Sequence, residues 1–91
     1  MIDTQKIEQD WERRGFSFGQ FTDPPGQKWE DYVHAVDELW QLGHGEIELE
    51  IDGTILHPKV GEEVLIKAHQ VHSVRNIGPN YAHWYYGYPK D

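Results

Sequence analysis

Between residues 46 and 53 the chain alternates strictly, with Glu46, Glu48 and Glu50 on one parity and Ile47, Leu49 and Ile51 on the other. Successive side chains of a strand point to opposite faces, so "GEIELEIDG" predicts a half-buried strand with its aliphatic residues inward and its glutamates in solvent. Asp52-Gly53, directly after it, is a strong hairpin signal. A helical period occurs once, at the start. Ile7 and Trp11 lie four apart, Asp3 or Thr4 can cap the segment, and Gly15 follows Arg13 and Arg14 as a stop, which predicts a helix over residues 4–14.

Beyond that helix the pattern is one of short extended segments. "FSFGQF" reads as a strand, and "DPPGQ" as a turn in which Pro25 fixes φ and Gly26 supplies a positive φ. "TILHPKVGEEVLIKA" holds two short strands around Pro58 and Gly61. "HSVRNIG" is another strand, and "YAHWYYGYPK" an aromatic-rich last one. Short strands with turn residues every eight to twelve positions predict a small all-β sandwich or barrel.

Length and charge narrow the function classes. Ninety-one residues make one domain with a single thin core. The absence of cysteine removes disulfides and thiolate metal sites. Sixteen acidic against eight basic residues give a net charge of -8, which argues against a nucleic-acid partner, since that binding draws on lysine and arginine. The first residues are polar, and no apolar run approaches the ~20 residues of a membrane span. A cytoplasmic protein without membrane contact is therefore expected. No serine sits in a nucleophile arrangement, and no glycine-rich phosphate loop is present.

The candidate chemistry is a set of histidines and one acid. Tyr32, His34 and Glu38 share parity, so a regular strand would turn all three to one face, and a closed barrel could bring His72 opposite them. Two imidazoles and a carboxylate form a facial set that holds a divalent metal with positions left open. The metal-free alternative pairs the acid with a protonated histidine. Trp40, on the Glu38 parity, is a candidate pocket wall, and His69, three residues before His72, a candidate for the pocket mouth. His44, between two glycines, and His57, before Pro58, are expected in solvent. Arg75 is expected to pair with a surface acid.

Spacing adds a resemblance. Gly26, five residues, Tyr32, one residue, His34, three residues, Glu38, six residues and Gly45 form one run. Fifteen residues later come Gly61, five residues, Lys67, one residue, His69, two residues, His72, three residues and Asn76. This resembles the two signature motifs of the cupin family: a glycine, five residues, His-x-His, three or four residues, a glutamate, six residues and a glycine; then a glycine, five residues, Pro-x-Gly, two residues, a histidine, three residues and an asparagine. Tyr32 stands where the family has its first metal-binding histidine, Lys67 replaces the proline, and His69 the second glycine.

The resemblance implies a small single-domain cupin, with a helical segment over 1–15 and an antiparallel β-barrel of jelly-roll type over 16–91. It implies one divalent metal held by His34, Glu38 and His72, with Tyr32 nearby. Nitrogen and oxygen donors suit iron, manganese, nickel, zinc and copper alike. The partner expected is a small oxygen-bearing molecule. A metal-free binding or sensing module and a structural dimerisation unit are the rival readings. A homodimer is expected, because small cupins commonly dimerise, an open barrel gains by covering an edge strand, and the aromatics of the last strand offer a contact.

Overall fold

The computed structural model describes residues 3–90; residues 1, 2 and 91, which complete the two expected segments, lie outside the described residues. The helix α1 (Thr4–Arg13) is capped by Asp3, whose Oδ1 accepts hydrogen bonds from the backbone N–H groups of Gln5 (3.0 Å) and Lys6 (3.4 Å). Gly15 ends it with φ +84°. No helix among the described residues is long and apolar enough to cross a membrane.

Eight strands follow: β1 (Gly19–Asp23), β2 (Lys28–Tyr32), β3 (Glu38–His44), β4 (Ile47–Ile51), β5 (Thr54–Leu56), β6 (Glu63–Ile66), β7 (His72–Asn76) and β8 (Ala82–Gly87). They form two four-stranded antiparallel sheets, ordered β1-β8-β3-β6 and β2-β7-β4-β5. The alternation of β4 is realised as expected. Ile47, Leu49 and Ile51 are buried between the sheets against Trp40, Leu42, Val74 and Trp84. Burying each such aliphatic side chain contributes about 2 kcal/mol. Asp52 (φ +49°) and Gly53 (φ +83°) both take the left-handed conformation, the requirement of a type I′ hairpin, and join β4 to β5.

The glutamates of β4 lie on the outer face, with Glu46 exposed and Glu48 and Glu50 half-buried. There Arg75 donates to Glu48 and Glu50 at 2.8 Å and to Glu30 at 3.0 Å, so it pairs with three acids. His44 and His57 are exposed, as expected.

Two expectations are corrected. The segment from Phe16 is not a strand at its start; Phe16 makes a lone bridge to Pro89, and the paired strand begins at Gly19. Phe16 and Phe18 pack instead into a second cluster with Trp11, Leu39 and Tyr85, on the outer face of the first sheet. Within the last strand Trp84 and Tyr85 are not a free contact surface, because β8 is central in its sheet and buries one on each face, whereas Tyr81, just before it, is exposed.

α1 is fastened to the edge strand β6. Arg14 Nη1 and Nη2 donate to the two Glu63 carboxylate oxygens at 2.9 and 2.8 Å, and Trp11 Nε1 donates to Glu63 Oε1 at 3.2 Å. Hydrogen bonds from Arg14 hold the Glu63 carboxyl below the usual range, against the opposing pull of burial. A depressed carboxyl pKa adds stability that is present above the unfolded value and is lost as pH falls through the folded one. Glu63→Gln should therefore cost about 1 kcal/mol near neutral pH and have no effect at pH values below both carboxyl pKa values. Paired urea titrations of the two proteins check this, and an equal cost at both pH values would contradict it.

Candidate metal centre

His34, Glu38 and His72 come together although no single strand carries them. Tyr32 ends β2 in one sheet and Glu38 opens β3 in the other, so residues 33–37 cross between the sheets, carrying His34. The regular strand assumed by parity does not exist. β2 also holds a bulge. Trp29 pairs with Val74 and Tyr32 with His72, so three steps on β2 face two on β7, with Asp31 at φ +57°. The Ser73 hydroxyl oxygen accepts the Asp31 N–H at 2.9 Å. The extra residue lets Trp29 and Tyr32, of opposite parity, both line one cavity.

The crossing loop is tied to the turn that precedes His72. The backbone N–H of His69 donates to the His34 carbonyl at 2.8 Å, and that of Ala68 to Asp37 Oδ1 at 2.8 Å. His69 adopts φ +70° to do so. A left-handed residue that carries a Cβ costs roughly 1–2 kcal/mol, of which glycine would recover part after its own unfolded-state entropy. His69→Gly should thus stabilise the protein by about 0.5–1 kcal/mol. Thermal unfolding of the variant reads this out; a lower midpoint would refute it.

At the centre of the group, Glu38 Oε1 lies 3.4 Å from His34 Nε2 and 3.4 Å from His72 Nε2. One donor atom from each of the three residues lies within 4.8 Å of the others. Glu38 and His72 are buried and His34 is partly so. Both contacts are long for N–H···O hydrogen bonds, and Glu38 Oε1 is buried without a well-formed partner among the described residues. His72 Nδ1 lies 3.2 Å from the Gln70 carbonyl, which can only accept, so the proton belongs on Nδ1 and the Nε2 lone pair faces Glu38. Two acceptors then face each other, and a proton or a cation must lie between them. Two donors bound at ~2.1 Å with tetrahedral angles stand ~3.4 Å apart, so the spacing and chemistry of this set fit a divalent ion.

Without an ion the proton takes its place. Burial opposes the His72 cation, but the close Glu38 carboxylate and the hydrogen bond to the Gln70 carbonyl raise its pKa above the usual histidine value. Tyr88 closes the same end of the cavity, its hydroxyl 3.4 Å from His34 Nε2. Burial, and then the Glu38 charge, pushes this phenol up to about 12, so it stays neutral.

The cavity beside the three residues measures about 230 Å³. Tyr32 lines it, half-exposed. Trp40 and His69 do not. Trp40 shares a face with Glu38, as parity requires, but lies deeper, fully buried beside Trp84 at a centroid distance of 5.8 Å. His69 is exposed, and its backbone rather than its ring serves the site. The walls are instead Phe21, Trp29, Val74, Trp84, Tyr86 and Tyr88. A sequence signal for three of these existed, because Trp84, Tyr86 and Tyr88 share one parity. Asp23, buried beneath them, had none. Its Oδ1 accepts from Trp29 Nε1 at 3.0 Å and its Oδ2 from Trp84 Nε1 at 2.9 Å.

The motif positions outside the site have structural roles. Gly26, Gly45 and Gly61 all have positive φ, and a Cβ on Gly45 would stand 2.8 Å from the Ala82 Cα. The buried Asn76 Nδ2 reaches the carbonyls of Asp23 (3.2 Å), Pro24 (3.1 Å) and Asn80 (2.9 Å), while its Oδ1 accepts the Gly78 N–H at 3.0 Å.

No protein-family model matches the sequence, and no curated protein matches it closely. Solved structures do match in fold. The Cnp3 cupin domain of Schizosaccharomyces pombe superposes with a TM-score of 0.77 at 20% identity, over 85% of this chain and 57% of that one. A predicted oxalate decarboxylase from Thermotoga maritima gives 0.76 at 16% identity, over 100% and 76%. An oxalate oxidase in complex with the substrate analogue glycolate gives 0.75 at 20% identity, over 85% and 43%. The chain thus spans 57% of the first of these and less than half of the last.

Proposed function

Because this chain has the fold of a small cupin domain, we propose that it binds one divalent metal ion through His34 Nε2, Glu38 Oε1 and His72 Nε2 and presents it to a small oxygen-bearing molecule in the adjoining cavity. The observation that carries the reading is the buried Glu38 oxygen facing two imidazole nitrogens with no well-formed hydrogen bond of its own. Likeness to structures described as an oxalate oxidase and a predicted oxalate decarboxylase adds support for small-molecule chemistry at this position in the fold.

A bound ion would act as a Lewis acid toward an oxygen atom of that molecule. The protein's own contribution is to hold the donors in place. The Gln70 carbonyl fixes the His72 tautomer, the His69 N–H fixes the loop of His34, and Tyr88 offers a neutral hydroxyl at the same end. The aromatic walls line the remaining space with carbon.

Elemental analysis of protein purified without a metal-affinity tag, followed by calorimetric titration of chelator-stripped protein, tests the reading. One ion per chain is expected. Proton and ion compete for the His72 lone pair, so affinity should weaken already as pH falls below the raised His72 pKa, by about tenfold per pH unit for each imidazole proton displaced. Absence of stoichiometric metal and of any saturable binding would favour the metal-free module, in which His72 carries the proton and Glu38 its counter-charge.

A further inference from the structure

We propose that the cavity takes a neutral molecule built on a single aromatic ring with a hydroxyl substituent, a simple phenol or catechol, rather than a small dicarboxylate. Only the hydroxyl's seat at the His34–Glu38–His72 end rests on the metal reading; the seat of the ring does not.

The walls are flat and held in place. Trp29 and Trp84 turn their polar edges away to the same carboxylate, that of Asp23, so each indole offers the cavity carbon surface. Phe21 packs against both rings at centroid distances of 5.4 Å. Tyr86 extends the wall beyond Trp84, 5.9 Å away. It lies across Gly19, where any Cβ would strike its ring, so the glycine leaves the space that the tyrosine fills. Aromatic faces fixed in this way gain from offset or edge contacts with a further ring.

Charge excludes the alternative. Among the described residues no lysine or arginine lines the cavity, and the two imidazoles at its polar end already face the Glu38 carboxylate. In the metal-free protein a dianion would lose its water against carbon walls and meet the Glu38 carboxylate at the polar end, with no lysine or arginine to receive it. Size agrees as well. A cavity of about 150 Å³ accepts benzene, so about 230 Å³ holds one ring and a small polar substituent. The polar groups stand together at one end, where Glu38 can accept from a hydroxyl and Tyr88 can donate to one.

The experiment follows the four indole N–H resonances of the whole protein by NMR, chelator-stripped and zinc-loaded, during titration with phenol, catechol, oxalate and choline. Phenol and catechol should shift the Trp29 and Trp84 signals saturably in both forms, leave Trp11 unmoved, and bind more tightly with zinc present. Tyr32→Ala, at the exposed rim, should weaken phenol by about fivefold while leaving zinc stoichiometry unchanged. Oxalate or choline binding more tightly than phenol to the stripped protein would overturn the proposal. Zinc bound at one equivalent with no phenol-dependent shift in either form would overturn it and leave the metal reading standing. Phenol binding to a protein that takes up no metal would do the reverse.

Discussion

Replacing His72 by alanine should weaken metal binding by at least roughly 100-fold, while His57→Ala leaves it unchanged. Outer-shell partners of metal ligands alone are worth 10–100-fold, and His72 is proposed as a ligand. It is also the ligand most firmly set in place, buried in β7 and held through Nδ1 by the Gln70 carbonyl. His57 is the matched control, exposed and 3.6 Å from Glu48 on the outer face. Isothermal titration of both variants and the parent with zinc reads the contrast. Parental affinity in His72→Ala would remove the proposed centre. Far-UV dichroism on the same samples separates loss of a ligand from loss of fold.

The largest effect on stability should come from Asn76→Ala, about 3 kcal/mol. One side chain meets three carbonyls and one N–H from three stretches of chain, at residues 23–24, 78 and 80. Alanine leaves those groups short of partners in a nearly closed space, and each unsatisfied buried group costs about 1–3 kcal/mol. Asn76→Asp should be no better, because it keeps the acceptor for Gly78 but turns a charge toward three carbonyls. Urea unfolding measures both variants. A cost below about 1 kcal/mol for Asn76→Ala would mean that water replaces the amide there without loss.

The legible parts of this protein are those where one physical rule acts alone. β4 lies between a packed core and an outer face, so its alternation survives in the sequence and its aliphatic residues are where parity put them. Asp52-Gly53 and the three motif glycines announce backbone conformations that few other residues adopt cheaply. β3 was hidden for the opposite reason. The core buries Trp40 and Leu42 on one face while Trp11 and α1 cover Leu39 on the other, so the strand shows no period of two.

The site was legible in membership and not in mechanism. His34, Glu38 and His72 do converge, but through a crossing between sheets and not through shared parity. A parity argument fails wherever the strand is interrupted or gains a residue, and the Asp31 bulge and the loop after Tyr32 do both. His69 shows the same limit. Its motif position calls for the backbone of a glycine, and the chain supplies that backbone with a histidine, so a residue that looked chemical proves conformational. The Asp23 bridge between two tryptophans links residues 6 and 61 positions away, a separation over which no local pattern in one sequence reports contact.

The strand order has a kinetic consequence. β8 sits between β1 and β3, and β7 between β2 and β4, so the two strands made last occupy the middle of both sheets. Before residue 72 is available, the chain can form only two of its six ladders, β3–β6 and β4–β5, and an isolated strand pair is marginal in water. β1 and β2 have no neighbours until then. Folding must wait for nearly the whole polypeptide and then close loops of some 60 residues to pair β1 with β8, which places it among the slow, millisecond-to-second topologies. During that wait the apolar face of β4 and the rings of the future cavity stand in water, and the interval before β7 and β8 dock is when this protein is most open to aggregation and proteolysis.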